Sequence, residues 1–271
     1  MTRILFAGQL LLISCCGIAP LGAANIAFDS AADAVYNNGW QAGDNGGFGF
    51  TPWAFLPQGS AGQFMGTSTA NGDGLDDGNS QGIAGDSDID TAGRSWGLFA
   101  RNGNSAIAAF RQLTGGPLSI GQAIEIDFDN GSVDTTQFAG LQFITNSDYI
   151  LFRYHGGDST YEVYSQNLTA HQQSTLGFAD EGLSFNLLRT GSTTFDLKVT
   201  LRNGNSQTLP LTTLDGNVMG IVLQNSASGL SPANDAFFNS MRVGVVPEPS
   251  SVVMLAFGCV GLTRRYRQWR K

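Results

Sequence analysis

The chain has 271 residues, with hydrophobic residues at 42%, charged residues at 13% and a net charge of −8. That apolar share can bury a core, which excludes global disorder, and the acidic balance disfavours nucleic acid and anionic lipid as partners. The 36 glycines are costly inside helices and useful in turns, so strands are favoured over helices.

The N-terminus reads MTRILFAGQLLLISCCGIAPLGAANIAF. Arg3 supplies a positive start, residues 4–13 an apolar run, and Gly22 and Ala24 the small residues ahead of a cut before Asn25. This layout predicts a signal peptide over residues 1–24. Leu12, Ile13, Ser14 and Cys15 also resemble a lipoprotein cleavage box, and lipidation at Cys15 would anchor the protein to a membrane. The three cysteines, Cys15, Cys16 and Cys259, all lie in the terminal segments. The intervening body therefore has no disulfide and no thiolate metal site.

Residues 25–90 are rich in Gly, Asn and Asp, with scattered aromatics and no clear strand. Tyr36, Trp40, Phe48, Phe50, Trp53 and Phe55 offer flat faces on which sugar rings could stack, or serve as core. The stretch NGDGLDDGNSQGIAGDSDID concentrates Asp73, Asp76, Asp77, Asp86, Asp88 and Asp90. Asp86, Asp88 and Asp90 have the spacing of the first half of a calcium loop, but Thr91 replaces the required Gly and no Glu closes it. A looser structural calcium site and a solvated acidic loop both remain open.

Strand patterns recur from Ser95 onward. SWGLFAR and SAIAAFRQL flank Asn102, Gly103 and Asn104, the signal of a hairpin. QAIEIDFDNG alternates Ile124, Ile126 and Phe128 with Glu125, Asp127 and Asp129, giving one oily and one acidic face. FAGLQFIT follows, then hairpins around residues 155–158 and 190–192, and VMGIVLQNS. AFFNSMRVGV, residues 236–245, closes the body. Many short strands with frequent turns predict an all-β, antiparallel two-sheet β-sandwich of jelly-roll type over residues 25–245. Only two histidines exist, His155 and His171, too few for a zinc hydrolase, which needs three protein ligands. His155 is expected in an exposed turn.

The chain ends VPEPSSVVMLAFGCVGLTRRYRQWRK. Pro247, Glu248 and Pro249 form an extended stretch. Residues 250–262 are nearly uncharged, and Arg264, Arg265, Arg267, Arg270 and Lys271 make a basic end. The apolar run suits a short transmembrane helix whose cationic end stays in the cytoplasm. Losing both ends removes six of the 14 basic and one of the 22 acidic residues, which leaves the body at −13.

Residues 246–271 resemble a PEP-CTERM sorting signal, the bacterial tripartite tag handled by exosortase. The resemblance implies an exported protein: a membrane-anchored precursor, then a cell-surface or extracellular form associated with exopolysaccharide. The body resembles concanavalin A-like lectin and glucanase sandwiches, a likeness of fold that carries no single function. Glu125, Asp127 and Asp129 resemble the acidic strand of laminarinase-like glucanases. By that resemblance Glu125 is the nucleophile and Asp127 its helper, while Asp129 stands one methylene short of the family's acid/base Glu. Non-enzymatic surface display is the leading expectation. A glucanase-like glycoside hydrolase and a calcium-dependent lectin-like module are the alternatives.

Overall fold

The computed structural model describes residues 25–71, 88–165, 172–179 and 181–246. The signal peptide and the sorting signal from Pro247 onward lie outside the described residues. Fifteen strands are present among them: β1 (Asn25–Asp29), β2 (Ala54–Gln58), β3 (Ala61–Gly66), β4 (Ser95–Ala100), β5 (Ala106–Gln112), β6 (Gln122–Asn130), β7 (Phe138–Ile144), β8 (Tyr149–His155), β9 (Thr160–Ser165), β10 (Gln172–Gly177), β11 (Leu183–Arg189), β12 (Thr194–Leu201), β13 (Ser206–Thr212), β14 (Gly220–Ser226) and β15 (Ala236–Val245). The described helical elements are short 3-10 turns, such as Ala34–Asn38. None of the described helices is long and apolar enough to cross a membrane.

The strands form two antiparallel sheets. One has eight strands in the order β13-β12-β11-β6-β15-β4-β3, with β1 also on β15. The other has seven, in the order β10-β9-β8-β7-β14-β5-β2. The predicted β-sandwich is therefore present, and the order is consistent with a jelly roll.

Alternation explains the layering. On β6, Ile124, Ile126 and Phe128 are at most 1% exposed and face the other sheet, while the acids between them face outward. On β12, Phe195, Leu197 and Val199 turn inward, with Thr194, Asp196 and Lys198 outward. The two inner faces interdigitate through aromatics: Phe152 of β8 meets Phe185 of β11 edge-on at 4.5 Å.

The hairpins at residues 155–158 and 190–192 are formed, by β8 with β9 and by β11 with β12. The one expected at Asn102, Gly103 and Asn104 is not. There β4 pairs with β3 and β15, whereas β5 pairs with β2 and β14 in the other sheet. The turn reverses the chain but carries it across the sandwich. A turn signal fixes where the backbone bends, not which sheet receives the next strand.

Residues 25–71, read as strandless, hold β1, β2 and β3. β1 docks on the second half of β15, Asn25 opposite Gly244 and Asp29 opposite Met241. Gly47 seals this region. Its φ of +64° lies in the left-handed range, and a Cβ there would overlap the Phe28 carbonyl oxygen.

Candidate functional site

Strand β6 directs Glu125, Asp127 and Asp129 to the outer face of the eight-stranded sheet, as its alternation requires. Each meets a different environment. Glu125 sits between Asn186 of β11 and Arg242 of β15. The Asn186 amide donates to Glu125 Oε1 at 2.6 Å, and the Arg242 guanidinium pairs with Oε2. Asp127 accepts a 2.6 Å bond from the Ser184 hydroxyl, with Arg202 at 3.9 Å. Burial pushes the Asp127 carboxyl above the usual carboxylate range, against the pull of Ser184 and Arg202. Asp129 is fully buried and accepts from the Asn71 amide at 3.1 Å.

Burial thus deepens along the strand: the side chain is 29% exposed at Glu125 and 19% at Asp127, and Asp129 is at 0%. A retaining glycosidase needs two carboxyls about 5–5.5 Å apart, both open to one sugar. Positions four apart on β6 are about 13 Å apart along the backbone, and Asp129, fully buried, is not open to a sugar held at Glu125.

A depression of about 360 Å³ lies over this face, lined by Asn25, Ala123, Glu125, Asn186, Arg242 and Val246 among others. Among the described residues, no tryptophan lines it. Because the Arg242 side chain is 56% exposed, its pairing with Glu125 is screened by water. Glu125→Gln is expected to cost less than about 1 kcal/mol, a shift in melting temperature of no more than about 4 °C, read in a thermal melt.

Of the two roles open to the six aromatics, sugar platform or core, most of them take the second. Tyr36, Trp40, Phe50 and Trp53 are at most 2% exposed, and Phe55 packs against them. Only Phe48, at 51% exposure, has an open face. Trp40 meets Trp53 edge-on at 4.9 Å, and Trp53 meets Trp96 at 5.4 Å. Such pairs add about 0.5–1.5 kcal/mol each beyond the area they bury.

Of the calcium candidates, Asp86 lies outside the described residues, as do Asp73, Asp76 and Asp77. Asp88 adopts a left-handed φ of 50°. Asp90 Oδ1 accepts from both the Ser68 backbone N–H and the Ser68 hydroxyl at 2.9 Å, tying the loop end to the 3-10 turn Ser68–Asn71. No group of three His, Cys, Asp or Glu able to hold a metal occurs among the described residues. His155 is the last residue of β8 rather than a turn residue, with Nδ1 3.6 Å from Asp158 Oδ2. His171 lies outside the described residues.

One charged cluster has no counterpart in the sequence reading. Arg111 of β5 points inward and, like Asp29 at the end of β1, is fully buried. Its guanidinium pairs with Asp29 Oδ2 and donates to the Asn45 side chain and to the Thr51 carbonyl, the last at 2.6 Å. The Tyr36 hydroxyl donates to Asp29 at 2.6 Å and accepts from the Trp53 indole at 2.9 Å. Burial outweighs mutual attraction here. It pushes Asp29 up to about 6 despite Arg111, lowers Arg111, and pushes the Tyr36 phenol well above its ordinary value. The cluster has no opening to solvent through either charged group, and its evident work is to fasten β1 and the loop after it to β5.

Two antiparallel sheets with one buried interlayer define a β-sandwich protein. No protein-family model matches the chain, and neither does any curated protein sequence. Solved structures match in strand arrangement. The carbohydrate esterase vb_24B_21 of the Shiga toxin-encoding bacteriophage phi24B aligns with a TM-score of 0.48 at 13% identity, over 83% of this chain and 100% of that one. An endo-acting O-glycanase from the human gut microbiota aligns at 0.41 and 12% identity, over 56% and 80%. The galectin LEC-6 of Caenorhabditis elegans aligns at 0.36 and 14% identity, over 47% and 87%. What those proteins bind or cleave is a property of theirs.

Proposed function

We propose that this chain is an exported, non-enzymatic cell-surface or matrix protein, routed by a PEP-CTERM/exosortase system and associated with exopolysaccharide. The observation that supports the proposal is that the two ends of the described sandwich meet. Asn25 pairs with Gly244, and the Val246 N–H donates to the Gly121 carbonyl at 2.9 Å. These two ends lie side by side on one sheet, so a leader cut before Asn25 and a tail cut after Val246 would each leave every described strand in place. Pro247, Glu248, Pro249 and the Arg264 and Arg265 cluster supply the sorting motif. Exosortase is the processing partner, and the apolar run holds the precursor in the membrane before cleavage.

The non-enzymatic part rests on the acidic strand, where Glu125 is paired with Arg242 and Asp129 is fully buried. A glucanase-type hydrolase keeps one observation in its favour, since Glu125 opens onto the depression. The two are separated by incubating the exported protein with laminarin, hydroxyethylcellulose and dextran and measuring reducing ends. No release above the Glu125→Gln control is expected. Release that Glu125→Gln abolishes would establish the hydrolase instead. Nothing observed favours the calcium-dependent lectin over either.

A further inference from the structure

The outer surfaces of the strands vary. On β12 and β13 of the eight-stranded sheet, Thr194, Asp196, Lys198, Thr200, Ser206, Thr208, Pro210 and Thr212 face outward, mostly short or charged side chains. Strands β8 and β9 of the seven-stranded sheet carry larger groups. Ile150 and Phe152 of β8 and Tyr161 and Val163 of β9 are all at 0% exposure on the inner side, so Tyr149, Arg153, Glu162 and Tyr164 point outward. These are large planar groups, and they are locked to one another.

The rings of Tyr149 and Tyr164 lie 5.7 Å apart, tilted by 40°. Arg153 pairs with Glu162 directly across the strands and lies over the Phe138 ring at 5.2 Å. The Gln224 amide donates to Gln142 at 3.0 Å. Between Arg153 and Gln224 in the same row stands Gly140. A Cβ there would overlap the Phe152 carbonyl oxygen and approach Arg153 Cα to 2.8 Å, so the position is confined to glycine and leaves the row low in its middle. The row Glu162, Arg153, Gly140, Gln224, Ala108 crosses five strands, about 19 Å at the spacing of neighbouring strands.

We propose that this outer face, over β9, β8, β7 and β14, binds an uncharged polysaccharide laid across the strands. Phenol rings pack against the apolar faces of sugar rings, and paired amides and the guanidinium offer planar donors and acceptors to hydroxyls. Because these side chains are already held by their neighbours, little rotamer freedom is lost on binding. Arg153 is matched by Glu162, so the row carries no net charge, while the acidic body repels anionic polymers. The proposal takes its ligand class from the polysaccharide association proposed above and moves the contact to the sheet opposite the acidic strand.

The test is affinity electrophoresis of the exported protein in gels containing laminarin, hydroxyethylcellulose, dextran or alginate. Retardation by at least one neutral polymer and not by alginate is expected. Tyr164→Ala and, separately, Gln224→Ala should weaken it about tenfold, with melting temperatures near the parent's because both side chains stand on an outer face. Glu125→Gln should leave it unchanged. Should either variant fold poorly, a tyrosine ultraviolet difference spectrum of the parent on adding the retarding polymer replaces it, and a flat spectrum counts against the site. No retardation, retardation by alginate alone, or retardation that Tyr164→Ala spares and Glu125→Gln removes would overturn the proposal. Correct export and processing without binding would overturn this site and leave the sorting route standing.

Discussion

Arg111→Ala is expected to lower the free energy of unfolding by about 3–5 kcal/mol, the usual effect of removing one partner of a buried ion pair. The cost arises because Asp29 stays behind in the interior. It would keep bonds from the Tyr36 hydroxyl and the Ser30 N–H but lose its countercharge, and the Asn45 and Thr51 acceptors would lose their donor. For a body of this size the melting temperature should fall by about 6–20 °C. The double replacement Asp29→Leu with Arg111→Met should recover part of the loss, since apolar groups of similar volume often replace a buried pair at little cost. Urea denaturation of the three proteins checks this. An Arg111→Ala midpoint equal to the parent's would mean that the pair contributes nothing.

The second large effect is pH dependence. Burial raises Asp29 to about 6 in the folded state, from 3.8 in the ordinary carboxyl. A raised folded value means the native state holds its proton more tightly than the unfolded chain. The associated stability is complete below about pH 4 and is lost as pH rises through about 6. The change is on the order of 2–3 kcal/mol. Asp127 and Asp235 are shifted in the same direction by burial, Asp235 against its Arg101 partner. The protein should therefore melt at a higher temperature near pH 4.5 than near pH 7.5, and Asp29→Asn should flatten that slope. A melting temperature that climbs steadily from pH 4.5 to 7.5 would contradict the assignment.

Much of the strand pattern is legible in the amino acids because each strand buries one face. β15 occupies residues 236–245 as its apolar alternation suggests, and the β6 acids share an outer face for the same reason. The hairpins β8 with β9 and β11 with β12 are local, and local turn chemistry specifies them. The β4 to β5 turn looks the same in sequence, yet its two strands find partners elsewhere: β4 takes β15, more than a hundred residues away. β1 and β2 escape notice because NIAFD and AFLPQ are short and weakly alternating, and they are held by tertiary contacts.

The site shows the same division. The side to which Glu125, Asp127 and Asp129 point follows from period two, but Arg242, Ser184 and Asn71, which tie them up, come from distant segments. Arg111 falls on the inner face of AIAAFRQ together with Ile107 and Ala109. That placement marks it as a buried charge needing a partner, while nothing local names Asp29, 82 residues away. The planar residues of the seven-stranded sheet are likewise scattered over β7, β8, β9 and β14 and become a surface only through register.

The proposed delivery to the cell exterior, with both terminal segments removed, is tested by intact mass spectrometry of the protein recovered from the cell surface and medium. A chain starting at Asn25 and ending ahead of Arg264 is expected. A full-length mass from Met1 to Lys271, found in the cytosolic fraction, would contradict it.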